Sequence, residues 1–264
     1  MTAAVRAMSS ASILANRTGV RLLKLTGLIS FLFIWEVAGS AAPAFYSSPT
    51  RVVAEMQVLL FEDDLVPLTL ETGWTMLVGL GLSILIGVTL GFALGAFRRF
   101  SIAFEPWLAA FYAVPTAPWI PLMVVWFGID REFAVAVVVI GTAVLLAFST
   151  AAGVRETDRQ FREVADSLQI TGWSKFTKIL LPGSIPFIGA GMRLSIKRSF
   201  TAVLIAEYLV GLPGLGLIIR GARESLATDR VFASAVAALI VGVVLIAISV
   251  AIERRFSRWR PVTF

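Results

Sequence analysis

Residues Arg155–Pro186 read RETDRQFREVADSLQITGWSKFTKILLPGSIP, the longest polar interruption in a mostly apolar chain. How this stretch folds decides how the apolar runs on either side of it are read. Phe161, Val164, Ala165 and Leu168 fall at i, i+3, i+4 and i+7, which is one face of a helix. Arg159, Arg162, Glu163 and Asp166 take the rest of its surface, and Trp173, Phe176 and Leu180 begin a second short repeat. The sequence predicts that the first helix runs through Gln169 to Thr171 and turns at Gly172, because glutamine is a good helix former and glycine accepts turn angles. Pro182 opens the next apolar run, where a missing N–H costs little. The expectation is an amphipathic helix pair joining two membrane spans. On physics alone it is either a connector resting on the membrane surface or a docking element.

Composition supports the membrane setting. Of the 264 residues, 58% are hydrophobic, and the mean hydropathy is +0.86, far from the balance of a soluble domain. The chain has no cysteine and no histidine, so disulfides, thiolate metal sites and a Ser-His-Asp arrangement are excluded. No G-x-x-x-x-G-K-[ST] sequence occurs, so nucleotide is not cradled in the P-loop manner. The net charge of +6 sits at the ends of apolar runs, which suits a membrane protein better than a nucleic-acid binder.

Taken in order, residues 1–20 read as a polar tail and 21–264 as one transmembrane domain, with 155–182 as its polar connector. Leu22 to Ala38 is a first span; a cleaved signal peptide ending near Ala41-Ala42-Pro43-Ala44 is the alternative, and a retained span is the expectation. Leu68 to Phe97 is the second, with Gly79, Gly87, Gly91 and Gly95 at multiples of four on one face, a spacing that lets helices approach closely within the subunit. Ile102 to Phe127 is the third and carries Pro106, Pro115, Pro118 and Pro121. Prolines free carbonyls that a membrane tolerates only where protein or a water-filled cavity satisfies them, so this span reads as broken and as a pointer to a translocation path. Phe133 to Ala152, Pro186 to Val210 and Phe232 to Ile252 complete about six spans. In the fifth, Arg193, Lys197 and Thr201 share a face and Arg198 lies about 100° around from Lys197. Lys197 or Arg198 either faces the path and favours an anionic solute, or is satisfied by an internal ion pair with Glu105 or Glu71, or by snorkelling. A short polar helix is expected over residues 217–230.

Basic residues flank one set of connections: Arg17, Arg21, Lys24, Arg98, Arg99, Arg155, Arg159, Arg162, Lys175, Lys178 and the C-terminal arginines. The other set holds Arg51, Arg131, Arg220, Arg223 and Arg230. The positive-inside rule then places both termini and the 155–182 stretch in the cytoplasm.

Glu163-Val164-Ala165 followed by Ile179-Leu180-Leu181-Pro182 resembles the coupling motif of bacterial ATP-binding-cassette import permeases, with Gln169 standing where that family carries glycine. Trp35-Glu36, Tyr46-Ser47-Ser48-Pro49, Ile120-Pro121-Leu122, Trp126-Phe127-Gly128-Ile129-Asp130, Ala206-Glu207, Gly214-Leu215-Gly216 and Thr228-Asp229 extend the resemblance over nearly the whole chain. It is nearest to the nitrate, sulfonate and taurine branch. The resemblance implies an all-α membrane protein of the bacterial inner membrane, with about six transmembrane helices and a cytoplasmic coupling-helix pair. It implies a translocation subunit that is not itself an enzyme, has no catalytic residues, and binds no cofactor or metal. ATP and Mg would sit on a separate ATPase subunit docked at Phe161, Glu163, Ala165, Leu168, Gly172, Leu181 and Pro182. A periplasmic or lipid-anchored solute-binding protein would deliver a small anionic or sulfonate-like solute. A permease homodimer in membrane lipid would form the path along Pro115, Pro118, Pro121, Lys197, Arg198 and Thr201. Nucleic acid is not an expected partner. The alternatives are an ion-gradient-driven transporter, which would need carboxylates within its spans, and a membrane scaffold, which would not need a proline-broken third span.

Overall fold

The computed structural model describes residues 17–256, apart from the side chains of residues 17, 18, 162, 163, 166, 249, 250 and 252–256. The expected tail up to residue 16 and the last arginines, Arg258 and Arg260, lie outside the described residues. Among the described residues the secondary structure is entirely helical: α1 Arg17–Ala41, α2 Pro49–Phe61, α3 Leu65–Ala96, α4 Arg98–Ala113, a 3-10 turn Ala117–Trp119, α5 Ile120–Phe127, α6 Arg131–Ser167, α7 Gly172–Lys175, a π turn Phe176–Leu180, α8 Leu181–Val210, α9 Leu215–Glu224 and α10 Thr228–Phe256. Among the described residues, five helical stretches are long and apolar enough to cross a membrane: Gly19–Ala41, Leu65–Ala96, Arg131–Phe161, Gly172–Val210 and Thr228–Ile248. The pair Arg98–Ala113 and Ala117–Phe127 makes a sixth if it counts as one span, bent by 95°. This agrees with the expected six.

The chain divides into two compact units, one made of α1, α2 and residues 222–234, the other of the remainder. In the first, the indole of Trp35 donates to the Ser47 carbonyl at 2.8 Å. Glu36 accepts from the Thr50 N–H at 3.1 Å and from its hydroxyl at 2.7 Å. Ser48 makes no side-chain cap on α2, so a carboxylate from α1 satisfies an amide that the helix start would leave open. The pairs Trp35-Glu36 and Ser47-Ser48 are therefore two halves of one corner. Arg51 pairs with Asp229 at 3.4 Å, and Arg230 with Asp63 at 2.5 Å.

In the second unit α6 is the central helix, packed on α3 and α8. Its most apolar stretch is 61% buried, which is why it reads as nearly continuous valine and alanine rather than as a stripe. Met76 and Leu80 of α3, Ile120 and Met123 of α5, Phe133, Val137 and Val138 of α6, and Val203 and Ala206 of α8 form its main core. Several boundaries differ from expectation; the helix of the fourth span runs on without a break from Arg131 to Ser167, so the first helix of the expected pair is its continuation. The polar helix expected over 217–230 stops at Glu224, where Leu226 adopts a left-handed φ of 55°, and Thr228 already begins α10. The α-helix of the fifth span, α8, starts at Leu181 rather than Pro186, with Pro182 in its first turn, and the apolar helical stretch it belongs to begins at Gly172.

Candidate functional site

Three places in the second unit carry unusual residues. The first is the polar end of α6. α6 stops at Ser167, and Gln169 takes φ 52° while the Ile170 N–H reaches the Ala165 carbonyl at 2.8 Å. This is a Schellman termination with Gln169 in the left-handed position, so the turn expected at Gly172 lies at Gln169 instead. Backbone closure outweighed glutamine's helix propensity, which is worth only a few tenths of a kcal/mol per residue. Gly172 also has positive φ, 59°, but it opens α7 rather than ending α6.

The apolar face of this segment is split. Ala165 is fully buried, whereas Phe161, Val164 and Leu168 are exposed, and Trp173 is 75% exposed. The four still lie within about 100° of one another on the helix, but only the small Ala165 is covered, and the larger residues beside it stay exposed. The side chain of Glu163 lies outside the described residues. The segment is nonetheless held firmly. Lys175 pairs with Asp158 at 2.6 Å, and Phe176 stacks on Trp173 while meeting Phe92 of α3 edge-on, each at 5.0 Å. Thr157 is buried against Gly183, where a Cβ would collide with its hydroxyl and methyl. Leu181 and Pro182, at the start of α8, are exposed.

The second place is the break between α4 and α5. Pro115 lies in the break, Pro118 in the 3-10 turn and Pro121 in the first turn of α5, while Pro106 is accommodated inside α4. Thr116 approaches Gly141 of α6, which also neighbours Ala202 of α8. Arg198 donates to the Tyr112 hydroxyl at 2.9 Å, and its guanidinium lies 4.8 Å from that ring's centroid. The alternative of an ion pair of Lys197 or Arg198 with Glu105 or Glu71 is not what forms, because Glu105 is taken by Arg155 and Glu71 by Arg131. Lys197 and Thr201 lie on the exposed side of α8, and Lys197 has no ion-pair partner among the described residues. The structure thus brings Arg198 to the break and leaves Lys197 and Thr201 on the adjoining face. Tyr112 and Thr116 were missed in the sequence, where only prolines marked this region.

The third place is the turn after α8. Glu207 is 1% exposed. Its Oε2 accepts from the Gly216 N–H at 3.0 Å and from the Thr72 hydroxyl at 2.9 Å, and Thr72 Oγ1 accepts from the Leu215 N–H at 2.9 Å. A Cβ on Gly214 would fall on the Glu207 carboxyl group, so that position requires glycine. Above this turn lies a cavity of about 470 Å³, lined in part by Glu71, Asp130, Arg131, Glu132 and Glu207. Among the described residues no group of three or more acidic, histidine or cysteine side chains could hold a metal ion.

Comparison with known proteins gives a consistent result. The family described as "Binding-protein-dependent transport system inner membrane component" matches residues 79–259. An aliphatic sulfonates transport permease protein of Bacillus subtilis (strain 168) is 26% identical over 234 residues, covering 86% of this chain and 83% of that protein. The taurine transport system permease protein of Escherichia coli (strain K12) is 25% identical over 245 residues, covering 90% and 89%. The crystal structure of an amino acid ABC transporter with histidines superposes with a TM-score of 0.61 at 14% identity, over 75% of this chain and 97% of that one, a likeness of fold.

Proposed function

The chain belongs to the family of binding-protein-dependent transport system inner membrane components, and from that premise we propose that it is the permease subunit of an ATP-driven importer, docked by an ATPase at Phe161–Leu168 and Gly172–Pro182. The observation that supports the docking reading is a segment tied to the bundle by the Lys175–Asp158 pair and the Phe92–Phe176 contact, on which the large apolar residues Phe161, Val164, Leu168 and Trp173 stay exposed. Such a patch at the polar end of a membrane bundle suits a protein partner better than solvent. Glu163, with Ala165 and the Leu181-Pro182 ending, completes the segment by resemblance. A positive-inside orientation puts it in the cytoplasm with both termini, and the Glu207 end faces the periplasmic or lipid-anchored binding protein. ATP and Mg belong to the ATPase, and a second permease copy closes the path. The names of the relatives support a sulfonate-like or similarly small anionic solute.

Docking is tested by co-purification with the ATPase. Phe161→Asp puts a charge into an apolar contact, and Glu163→Ala removes a carboxylate whose loss from a buried pair costs about 2–5 kcal/mol. Both are expected to lose the ATPase and uptake while inserting normally in the membrane. Retention of both would mean that the segment rests on lipid alone.

The path is assigned to the broken span and the adjoining face of α8: Pro115, Pro118, Pro121, Lys197, Arg198 and Thr201. A charge near the middle of a span costs roughly 2.5–3.5 kcal/mol against lipid, so exposed Lys197 suits water or a second subunit. Reconstituted Lys197→Met and Arg198→Met proteins should take up taurine or methanesulfonate at least about tenfold more slowly, a change of about 1.4 kcal/mol in barrier, with basal ATP hydrolysis intact. Full uptake by the double variant would remove both residues from the path.

A further inference from the structure

α4 buries none of its residues fully, yet it leads directly into the break. Its polar attachments lie at Ser101 and Glu105 in its first half and at Tyr112 near its end. Towards its start, Arg155 of α6 donates to both carboxylate oxygens of Glu105, at 3.2 and 2.5 Å, to Ser101 Oγ at 3.0 Å and to the Leu94 carbonyl of α3 at 3.4 Å. Ser101 in turn donates to Glu105 Oε2 at 2.6 Å. Towards its end, Tyr112 receives Arg198 from α8. Phe100 and Leu108 pack on Leu94, Ala147 and Ala151. Apolar contact of that kind holds α4 against the bundle without fixing its register, because it is non-directional. A guanidinium gripping both oxygens of a carboxylate does fix direction.

Arg155 stands on the same uninterrupted helix as Phe161, Val164 and Ala165. A displacement of that segment therefore moves the guanidinium with it, and Glu105 is what the guanidinium holds. We propose that the Arg155–Glu105–Ser101 cluster is the linkage by which movement of the docking segment is passed to α4 and so to the break between α4 and α5. Arg155 and Glu105 are positioning residues in this scheme and touch neither nucleotide nor solute. The inference rests on the docking reading above. It adds a contiguous mechanical connection, one physical route by which distant sites couple. The cluster is half-exposed beside a cavity of about 420 Å³, which leaves room for α4 to shift.

The chain has no cysteine, so introduced cysteines label uniquely within it. Spin labels at exposed Leu85 of α3 and exposed Trp107 of α4 report the position of α4 in the full complex with its ATPase, before and after trapping with ATP and vanadate. The wild-type pair should change distance on trapping. Glu105→Gln should retain the ATPase and keep basal hydrolysis within twofold, yet lose the distance change. Ser101→Ala should reduce the change, and the exchange Arg155→Glu with Glu105→Arg should restore it. A change that persists in the Glu105→Gln protein, or that the exchange does not restore, overturns the linkage while leaving docking intact. Should Phe161→Asp still bind the ATPase, the docking reading falls first, and the linkage with it.

Discussion

Gly91→Leu is expected to prevent the second unit from forming, whereas Gly81→Leu on the same helix should be tolerated. A Cβ on Gly91 would lie 2.5 Å from both the Ala147 carbonyl oxygen and Thr150 Cβ of α6. The first of these is backbone and cannot rotate away, so α3 and α6 must separate. The neighbouring positions share the constraint: Gly87 meets Ala143 O at 2.5 Å, Gly95 meets Val154 Cβ at 2.5 Å, and Gly79 meets Val138 Cβ at 2.7 Å. In lipid there is no hydrophobic drive to reassemble the pair, so close packing carries the association. Overpacking by a single methyl typically costs about 1–3 kcal/mol, and a leucine here lifts several contacts at once. Gly81 has open space around it. The measurement is the yield of monodisperse protein in detergent and its thermal unfolding, with Gly91→Ala expected between wild type and Gly91→Leu. Equal behaviour of the Gly81 and Gly91 leucine variants would mean that the stripe does not hold the fold.

That stripe shows what could be read in advance. Spacing by four placed Gly79, Gly87, Gly91 and Gly95 on one face, and the structure puts that face on α6 of the same chain. The sequence did not reveal that Ser83 occupies the remaining place in the series, with its buried hydroxyl 2.7 Å from that of Thr142. A serine among glycines carries no signal of its partner. The broken span was legible because proline acts locally, through a missing N–H and a fixed φ. The partner of Arg198 was not, because Tyr112 is 86 residues away and a tyrosine in an apolar run looks like any other aromatic. Gln169 misled for a related reason. Propensity favours helix there, but the Ile170 to Ala165 closure depends on how the chain returns to the bundle, which no local pattern records. The amphipathic period of Phe161, Val164, Ala165 and Leu168 correctly gave a helix, but the period does not say how much of that face the bundle covers, and only Ala165 is buried.

Glu207 bears on the rival reading, a transporter driven by an ion gradient, because it is a carboxylate in the fifth span. Its geometry gives it a different task. One oxygen closes the turn after α8 by accepting from the Gly216 N–H and the Thr72 hydroxyl, and Thr72 holds the Leu215 N–H. Gly211, at φ 83°, caps the helix with its N–H on the Glu207 carbonyl at 2.7 Å, so the main chain and side chain of one residue anchor the same loop. Glu207→Leu removes the acceptor and strands a buried amide, a loss of about 2–4 kcal/mol when the released hydroxyl is included. Glu207→Gln keeps one carbonyl-type oxygen for both donors and should cost about 1 kcal/mol. Thermal unfolding in detergent should rank wild type, then Gln, then Leu. Thr72→Val combined with Glu207→Leu should cost clearly less than the sum of the two single changes, since they break one shared network. Uptake should follow stability, with the Gln variant close to wild type. An ion-gradient transporter that used this carboxylate predicts the reverse for glutamine: a stable protein with uptake abolished. That result would displace the structural role and reopen the choice of energy source, while a Leu variant as stable as the Gln variant would show that the turn does not depend on the carboxylate at all.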